Sequence, residues 1–346
     1  MSGAGVLRSG RRGSLSDLGM TCIVVSGLAL WGSLGGPGVL HRASGSATSS
    51  GGGAGLAAVS CLSATWCTAV GYSGSRTLVE SWDGKSWAVV PSPGTGQGVA
   101  ALNGVSCTSA RSCIAVGSLS SSSNAGGSMR VLAESWDGKS WAVVPSPSLA
   151  PAAAAFNGIA CASAKSCTAV GNDGSATLAE LWNGATWSVV HSPTPGTYGG
   201  FSGVSCASAQ SCTAVGNFSY GTGSGSSILP QALVESWHGR SWSVEPLPSP
   251  SVAHLYGVSC TARSCETVGD YANASGIARG LAESWNGATW TFVPTPRLPT
   301  AYLHGVTCTS VRFCVAVGQY SNSVRSPSPM DALIEYWNGS AWLTQR

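Results

Sequence analysis

Short runs of apolar residues, separated by Gly, Ser and Pro, follow one pattern that occurs six times along residues 57–346. Each copy reads approximately G-V-S-C-x5-C-x-A-V-G, then a variable stretch, then L-x-E-S-W-[DN]-G-x-x-W-x-V-V-P-[ST]-P. The first cysteines of the copies lie 45 to 54 residues apart, at positions 61, 107, 161, 206, 260 and 308. A period of about 40–50 residues with short strands is typical of the blades of a β-propeller.

Each copy has room for four strands, A to D. In the third copy they are predicted at about residues 156–161, 167–171, 177–182 and 186–190. Strand C is apolar on both faces, as expected for a strand between neighbouring blades. The sequence therefore predicts an all-β, six-bladed propeller with four antiparallel strands per blade. The predicted repeats cover about residues 57–99, 100–153, 154–199, 200–252, 253–301 and 302–346.

Turn residues support this division. Strands C and D are joined by Asp-Gly or Asn-Gly in five copies and by His238-Gly239 in one, which predicts two-residue turns with positive φ at both positions. Because proline removes a ladder donor, the prolines after strand D place that strand at the outer edge and strand A beside the channel. The array starts with strand A and ends with strand D, so closure needs no exchange of strands. The two tryptophans of each copy are expected to fill the space between blades rather than to stack on sugars.

Twelve of the 13 cysteines lie in the repeats as six local pairs. Regular pairing predicts one disulfide per blade, across the A–B hairpin, and an oxidising compartment. Zinc is the rival hypothesis, but C-x5-C is an unusual ligand spacing and the five His are scattered; no metal or cofactor is expected. The predicted disulfides join Cys61 to Cys67, Cys107 to Cys113, Cys161 to Cys167, Cys206 to Cys212, Cys260 to Cys265 and Cys308 to Cys314.

The first 47 residues have the features of a targeting segment. Arginines at positions 8, 11 and 12 precede an uncharged, apolar stretch over residues 18–40, and small residues follow it. Gly and Pro interrupt this stretch, which favours a cleaved signal peptide over an uncleaved membrane anchor. Residues 48–56 form a Gly/Ser-rich linker before the propeller. The protein is thus predicted to be secreted or held at the cell envelope, with membrane contact only through an uncleaved N-terminal segment.

Charge narrows the range of partners. Only 9% of residues are charged, and the net charge is +3 with no basic run beyond Arg11-Arg12. Nucleic acid is therefore not an expected ligand. The chain is expected to be a monomer.

The repeat resembles known propeller motifs. The A-V-G ending of strand B and the Trp that opens strand D are similar to kelch repeats, and the segment from Ser81 to Trp87 resembles the Asp-box of sialidases, shortened by one residue. The whole unit is similar to Cys- and Trp-rich repeat proteins of actinobacteria, which are secreted propellers. These resemblances imply the fold and leave the activity open.

One rim of the ring is the predicted binding face. Antiparallel strands place the invariant A–B and C–D turns on one rim and the variable B–C and D–A connections on the other, and loops on a rigid scaffold commonly carry binding residues. The residue after A-V-G is polar in every copy, which suits ligand binding or a solvated strand end. The candidate ligand-binding residues are Tyr72, Ser118, Asn172, Asn217, Asp270 and Gln319. Aromatic and His candidates nearby are Tyr198, Phe201, Tyr220, His254, Tyr256, Tyr271, Tyr302 and His304.

A glutamate recurs at one position of strand C. A buried carboxylate needs a partner, and no basic residue recurs beside it, so backbone, hydroxyl or indole donors are expected. The rival hypothesis is sixfold sugar recognition, similar to that of six-bladed fucose-binding lectins, but an Arg precedes strand C in only three copies. The recurring residues are Glu80, Glu134, Glu180, Glu235, Glu283 and Glu335.

The leading functional hypothesis is a secreted or cell-surface binding module that recognises a glycan or protein ligand through its variable rim. The alternatives are a scaffold of the cell envelope without a small ligand and a glycosidase-like enzyme. Few acidic residues break the repeat pattern, and those that do are Asp173, Glu245, Glu266, Asp270 and Asp331. No catalytic residue is therefore assigned.

Overall fold

The computed structural model describes residues 23–25, 28–30, 53–94, 98–121, 128–147, 153–221, 229–324 and 329–344. Two short strands, β1 (Ile23–Val25) and β2 (Leu28–Leu30), form an antiparallel hairpin. The rest of the predicted targeting segment lies outside the described residues. No helix in the described part of the chain is long and apolar enough to cross a membrane.

Strands β3 to β26 form six four-stranded antiparallel sheets, one for each sequence repeat. Blade 1 consists of β3 (Ala54–Ser63), β4 (Trp66–Ser73), β5 (Arg76–Trp82) and β6 (Trp87–Val89). Blade 2 consists of β7 (Val99–Ser109), β8 (Ser112–Ser120), β9 (Met129–Trp136) and β10 (Trp141–Val143). Blade 3 consists of β11 (Ala154–Ser163), β12 (Ser166–Asp173), β13 (Ala176–Trp182) and β14 (Trp187–Val189). Blade 4 consists of β15 (Tyr198–Ser208), β16 (Ser211–Ser219), β17 (Gln231–Trp237) and β18 (Trp242–Val244). Blade 5 consists of β19 (Ala253–Cys260), β20 (Cys265–Ala272), β21 (Ala278–Trp285) and β22 (Trp290–Phe292). Blade 6 consists of β23 (Thr300–Ser310), β24 (Phe313–Ser321), β25 (Asp331–Trp337) and β26 (Trp342–Thr344).

The strands of each sheet are arranged in chain order from A to D, and the first strands of neighbouring blades contact each other from blade 1 to blade 6. The predicted six-bladed propeller with four antiparallel strands per blade is confirmed. Strands A and B are longer than predicted, because their hairpin continues on both sides of the cysteines. Each A strand carries a β-bulge before a central small residue, which is Ala58 in blade 1 and glycine in blades 2 to 6, as between Phe156 and Gly158 in β11.

The cysteines of each copy lie opposite each other in the A–B hairpin, as Cys161 and Cys167 do in blade 3. All six predicted pairs form disulfides. A covalent link across each hairpin restricts the unfolded chain, which in the chain-entropy model stabilises a loop of this size by roughly 2 kcal/mol.

The C–D connection differs from the predicted two-residue turn. In blade 1, Trp82 pairs with Trp87 and four residues lie between them. Only Gly84 has a positive φ, at 92°, while the Asp83 carboxylate accepts the N–H groups of Lys85 and Ser86 at 2.8 Å each. The prediction of positive φ at both residues is therefore wrong, because the repeated Asp or Asn acts through its side-chain oxygen.

The tryptophans are structural, as predicted. Trp187, at the start of strand D, is 5% exposed and belongs to the same core as Phe156 of its own blade and Ile114 and Val116 of the preceding blade. Trp182, at the end of strand C, donates its indole N–H to the Ala164 carbonyl at 3.2 Å, within the A–B loop. One tryptophan thus fills the gap between blades, and the other holds the hairpin loop.

The recurring glutamate accepts a hydrogen bond from a serine hydroxyl of the preceding blade. Ser146, in the P-S-P tail of blade 2, donates to Oε1 and Oε2 of Glu180 at 2.7 and 2.9 Å. This carboxyl is fully buried. Four of the five other glutamates are also buried, at 0 or 1% exposure. A buried carboxyl is not accessible to a sugar. The same Ser–Glu bond joins Ser92 to Glu134, Ser192 to Glu235 and Ser249 to Glu283.

A second hydrogen bond joins the blades near the disulfides. The hydroxyl oxygen of Ser106, in the G-V-S-C motif of blade 2, accepts the N–H of Cys161 in blade 3 at 3.0 Å. The equivalent bonds run from Cys107 to Ser60, from Cys260 to Ser205 and from Cys308 to Ser259. Both repeated serines therefore serve to connect one blade to the next.

Burial raises the pKa of several of the recurring glutamates. It raises the pKa of Glu235 and of Glu283 to about 7, and the serine hydroxyl opposes this rise in each case. Burial raises the pKa of Glu335 to about 8. In the position that would pair with Glu335, blade 5 has Thr295, whose hydroxyl donates to the Gly280 carbonyl instead.

The junction between blades 6 and 1 differs from the others. Five hydrophobic clusters join blades 1 to 6 in sequence, and no such cluster of described residues joins blade 6 to blade 1. Leu78 and Trp87 of blade 1 and Ile334 of blade 6 are partly exposed, although their counterparts in other blades are buried. Strand β1 contacts both β3 and β23 here. We call this junction the seam.

Stability is expected to fall as pH rises. A carboxyl whose pKa is raised in the folded state from its ordinary 4.5 contributes fully below pH 4.5 and loses this contribution as pH passes about 7 to 8. The melting temperature should therefore be higher at pH 5 than at pH 8.5, as measured by calorimetry. Glu235→Gln should reduce the slope, and Glu80→Gln, at the partly exposed equivalent position, should not. A melting temperature that rises over this interval would contradict the argument.

The seam should tolerate loss of packing better than a closed junction. Leu78 and Leu233 occupy the same position of strand C, but Leu233 is 1% exposed and Leu78 is only partly buried. Leu233→Ala should lower the free energy of unfolding by about 3 kcal/mol, and Leu78→Ala by about 1 kcal/mol. Urea denaturation of the two variants checks this. Equal losses would show that the seam is packed as tightly as its neighbours.

Candidate functional site

The structure places the six predicted ligand-binding residues at equivalent positions near the rim end of strand B. Asn172 and Asn217 line one pocket, and Asp270 lies beside His254, directly opposite it in the strand pairing. Gln319 lies opposite Tyr302 in the strand pairing of blade 6, and Tyr72 and Ser118 lie in blades 1 and 2, away from both groups. The predicted polar ring is thus resolved into two local sites, in blades 3–4 and blades 5–6.

The first site is a pocket of about 310 Å³ between blades 3 and 4. Its lining contains three asparagines and a tyrosine but no charged side chain, so it suits a neutral, hydrogen-bonding group. The lining residues are Asn157, Asn172, Gly174, Ser175, Tyr198, Gly199, Gly200, Phe201, Ser202 and Asn217.

Two features keep this pocket open and ordered. A Cβ at Gly200 would come within 3.3 Å of the Asn172 Cβ, so glycine leaves room beside the amide. Asn157 donates its side-chain N–H to the Phe201 carbonyl at 2.7 Å, and Asn172 donates to the Ala153 carbonyl at 3.1 Å. These bonds fix the two side chains, while their amide oxygens accept no hydrogen bond from the described residues.

The second site is a row of four rings at the inner strands of blades 5 and 6. His254 stacks on Tyr256, with centroids 5.9 Å apart and planes at 10°. Tyr256 lies 5.4 Å from His304, which stacks on Tyr302 at 6.4 Å and 7°. The Tyr256–His304 contact joins the two stacked pairs, and β19 contacts β23, so the four rings form one continuous row. The rings are partly exposed.

A buried carboxylate lies beside this row. Asp270 is 7% exposed, and its Oδ1 is 3.8 Å from His254 Nδ1, beyond hydrogen-bond distance. This oxygen is buried and has no hydrogen-bond partner among the described residues. Burial raises the pKa of Tyr256, and the Asp270 carboxylate raises it further. Burial lowers the pKa of His304, although Asp270 opposes this. Both shifts favour the neutral form of the Tyr256 and His304 rings.

The two sites are neighbours around the ring. Asn157, Ser202, Tyr256 and His304 occupy the same position of strand A in consecutive blades, each followed by a glycine. These glycines allow close approach of the inner strands: a Cβ at Gly257 would lie 2.8 Å from the Gly305 Cα. We call the combined surface of the pocket and the ring row the strip.

Solved structures with a similar fold are propellers of different activities. One is described as YCF48 bound to a D1 peptide, with 12% identity, a TM-score of 0.54, and coverage of 85% of this chain and 81% of that one. YCF48 from Cyanidioschyzon merolae has 11% identity, a TM-score of 0.51 and coverage of 85% of both chains. The GH74 xyloglucanase from Xanthomonas campestris has 12% identity and a TM-score of 0.55; the match covers 86% of this chain and 46% of the enzyme.

At this level of identity the similarity shows the fold alone. No protein-family model and no curated protein sequence matches the chain. The described residues contain no group of three or more His, Cys, Asp or Glu arranged to hold a metal ion.

Sequence reasoning found part of the strip. It named Asn172, Asn217 and Asp270, and it included the four rings among the nearby candidates. It missed Asn157 and Ser202. Their signal was available, since the residue before the central glycine of strand A is polar or aromatic in blades 2 to 6, but side-chain direction at the β-bulge was not readable from spacing.

The titration of His304 tests the electrostatics of the second site. Because Asp270 opposes the lowering of the His304 pKa, Asp270→Asn should lower that pKa further. Proton–carbon NMR of the imidazole resonances measures both values, and Asp331→Asn, at an exposed position of blade 6, serves as the control. An unchanged or raised His304 pKa in Asp270→Asn would contradict the geometry.

Proposed function

We propose that the protein is an exported binding module that holds an extended polypeptide along the strip. The observation that carries this proposal is the departure from sixfold repetition at the strip. Blades that repeat the same core residues differ at the rim of blades 3 to 6, where three asparagines, three tyrosines, two histidines and one aspartate are brought together.

The chemistry of the strip suits a peptide. An extended chain has alternating N–H and C=O groups, which the asparagine amides of blades 3 and 4 can bind as both donors and acceptors. The ring row offers faces for side chains at the other end. A rim site of this kind leaves the inter-blade cores untouched, so ligand binding costs the scaffold little rearrangement. A peptide-bound propeller is among the similar folds, which supports the same class of ligand.

A glycan is the second candidate, and the blade 3–4 pocket favours it. A neutral cavity of about 310 Å³ lined by amides and Tyr198 has the size and polarity for one sugar unit. A xyloglucan-degrading propeller enzyme is also among the similar folds. The peptide is preferred because the ring row and Asp270 extend the surface well beyond one sugar.

Export is part of the proposal. Six disulfides in one domain are stable in an oxidising compartment, and the apolar N-terminal stretch would serve as the signal or the anchor. The protein would then act outside the cytoplasm, as a monomer.

Selection from a random peptide library, followed by titration of the enriched peptides, tests this function. Peptides should bind with a dissociation constant of about 1–100 μM, and Asn217→Ala and Tyr302→Ala should each weaken binding by about tenfold, equivalent to 1.4 kcal/mol. Arg111→Ala, in the A–B loop on the opposite rim, is the control. Binding to a glycan array with no enriched peptide would favour the second candidate, and peptides indifferent to both strip variants would overturn the proposal.

A further inference from the structure

We propose that Asp270 and the adjoining rings form a specific site for the cationic side chain of a lysine or arginine in the bound peptide. This inference rests on the proposed function, since it names the chemistry of one position of that ligand. It concerns the second site alone, and the amide pocket of blades 3 and 4 does not enter it.

The first argument is the incomplete compensation of a buried charge. A carboxylate out of water requires a counterion or several hydrogen bonds, yet Asp270 is 7% exposed, the Tyr256 side chain hydrogen-bonds to it, and its Oδ1 has no hydrogen-bond partner among the described residues. Among the described residues, its only ion pair within 4.0 Å is with His254, at 3.8 Å. An ammonium or guanidinium group supplied by a ligand would stabilise this carboxylate through charge-assisted hydrogen bonds.

The second argument is the material around the carboxylate. Tyrosine faces attract cations, by roughly 0.5–2 kcal/mol depending on solvent exposure. Tyr256 and Tyr302 flank His304, whose imidazole is kept neutral by burial, so it adds no opposing charge. Tyr256 and the Asp270 carboxylate beside it can contact an alkylammonium or guanidinium group from two sides, and Tyr302 lies farther along the row.

The third argument concerns access. The His254 side chain is 33% exposed, whereas that of Asp270 is 10% exposed. The imidazole stacks on Tyr256 and makes no hydrogen bond to Asp270, so it can rotate away without breaking a hydrogen bond to the carboxylate. A cation reaches Asp270 when His254 turns aside, which costs one ring–ring contact.

Blade 5 is built differently from the other blades at this point. The residue after its V-G is the single acidic member of the set of six, and the position opposite it is His254 where the other blades have Gly, Ala or Tyr. The cation site therefore occurs once in the ring. It gives the peptide a fixed register along the strip.

Simple probes test the site without a known ligand. The protein is labelled with ¹³C at the His and Tyr rings and titrated with N-acetyl-arginine methylamide and N-acetyl-lysine methylamide, with N-acetyl-norleucine methylamide as the uncharged control. We expect saturable shifts of the His254, Tyr256 and Tyr302 resonances with at least one cationic probe. The norleucine probe should give shifts at least tenfold smaller at the same concentration.

Variants locate the charge. Asp270→Asn should weaken the cationic probe at least tenfold, Asp331→Asn should have no effect, and His254→Ala should bind the probe at least as tightly as the parent protein. Absence of shifts in the parent protein, equal shifts with norleucine, or undiminished binding in Asp270→Asn would each overturn the inference. If Asp270→Asn does not fold, the comparison of charged and uncharged probes on the parent protein decides alone.

The outcome is separable from that of the proposed function. Enriched peptides without any preference for Lys or Arg, still weakened by Asn217→Ala, would remove the cation site and leave the peptide-binding function in place. Absence of any enriched peptide would remove the function, whatever the small probes show.

Discussion

The structure depends on contacts that cross from one blade to the next, and the serine–glutamate hydrogen bond is the most specific of them. An isolated four-stranded sheet cannot bury both of its faces, so each blade is stable only against a neighbour. The bond places the tail of one repeat on the third strand of the following repeat, as Ser146 does on Glu180. It fixes both the order and the spacing of the blades, while the tryptophans and small apolar residues fill the remaining volume.

The repeated motif serves this purpose at nearly every position. The serine before the first cysteine binds the next blade at the inner end, and the serine after strand D binds it at the outer end. The cysteines close the hairpin, and the Asp or Asn of the C–D loop closes the other. Little of the motif is left for ligand binding. The proposed function accordingly uses positions at which the copies differ, at the rim of blades 3 to 6.

The fold could be predicted because periodicity, turn residues and cysteine spacing are local signals. The strip could be predicted only in part, because it depends on which side chains meet across blades. Asn172 and Asn217 are 45 positions apart in the sequence but line one pocket. For the same reason the sequence indicated hydroxyl groups among the possible donors to the glutamate but not which residue donates: Ser146 and Glu180 belong to different copies, although both are in the motif. The C–D turn was predicted wrongly because Asp-Gly has two uses, and only the structure distinguishes a side-chain acceptor from a residue with positive φ.

The seam makes the six junctions between blades unequal in strength. Among the described residues, apolar cores join five of the junctions and none joins the sixth, so pulling or heating should separate the ring there first and leave a curved row of blades. The amide pocket lies at the junction of blades 3 and 4, diametrically opposite the weak point in the chain order, and would survive such an opening. The ring row reaches blade 6 and borders the break. Opening of the seam would thus disturb the ring row of blades 5 and 6 and leave the pocket of blades 3 and 4 unchanged.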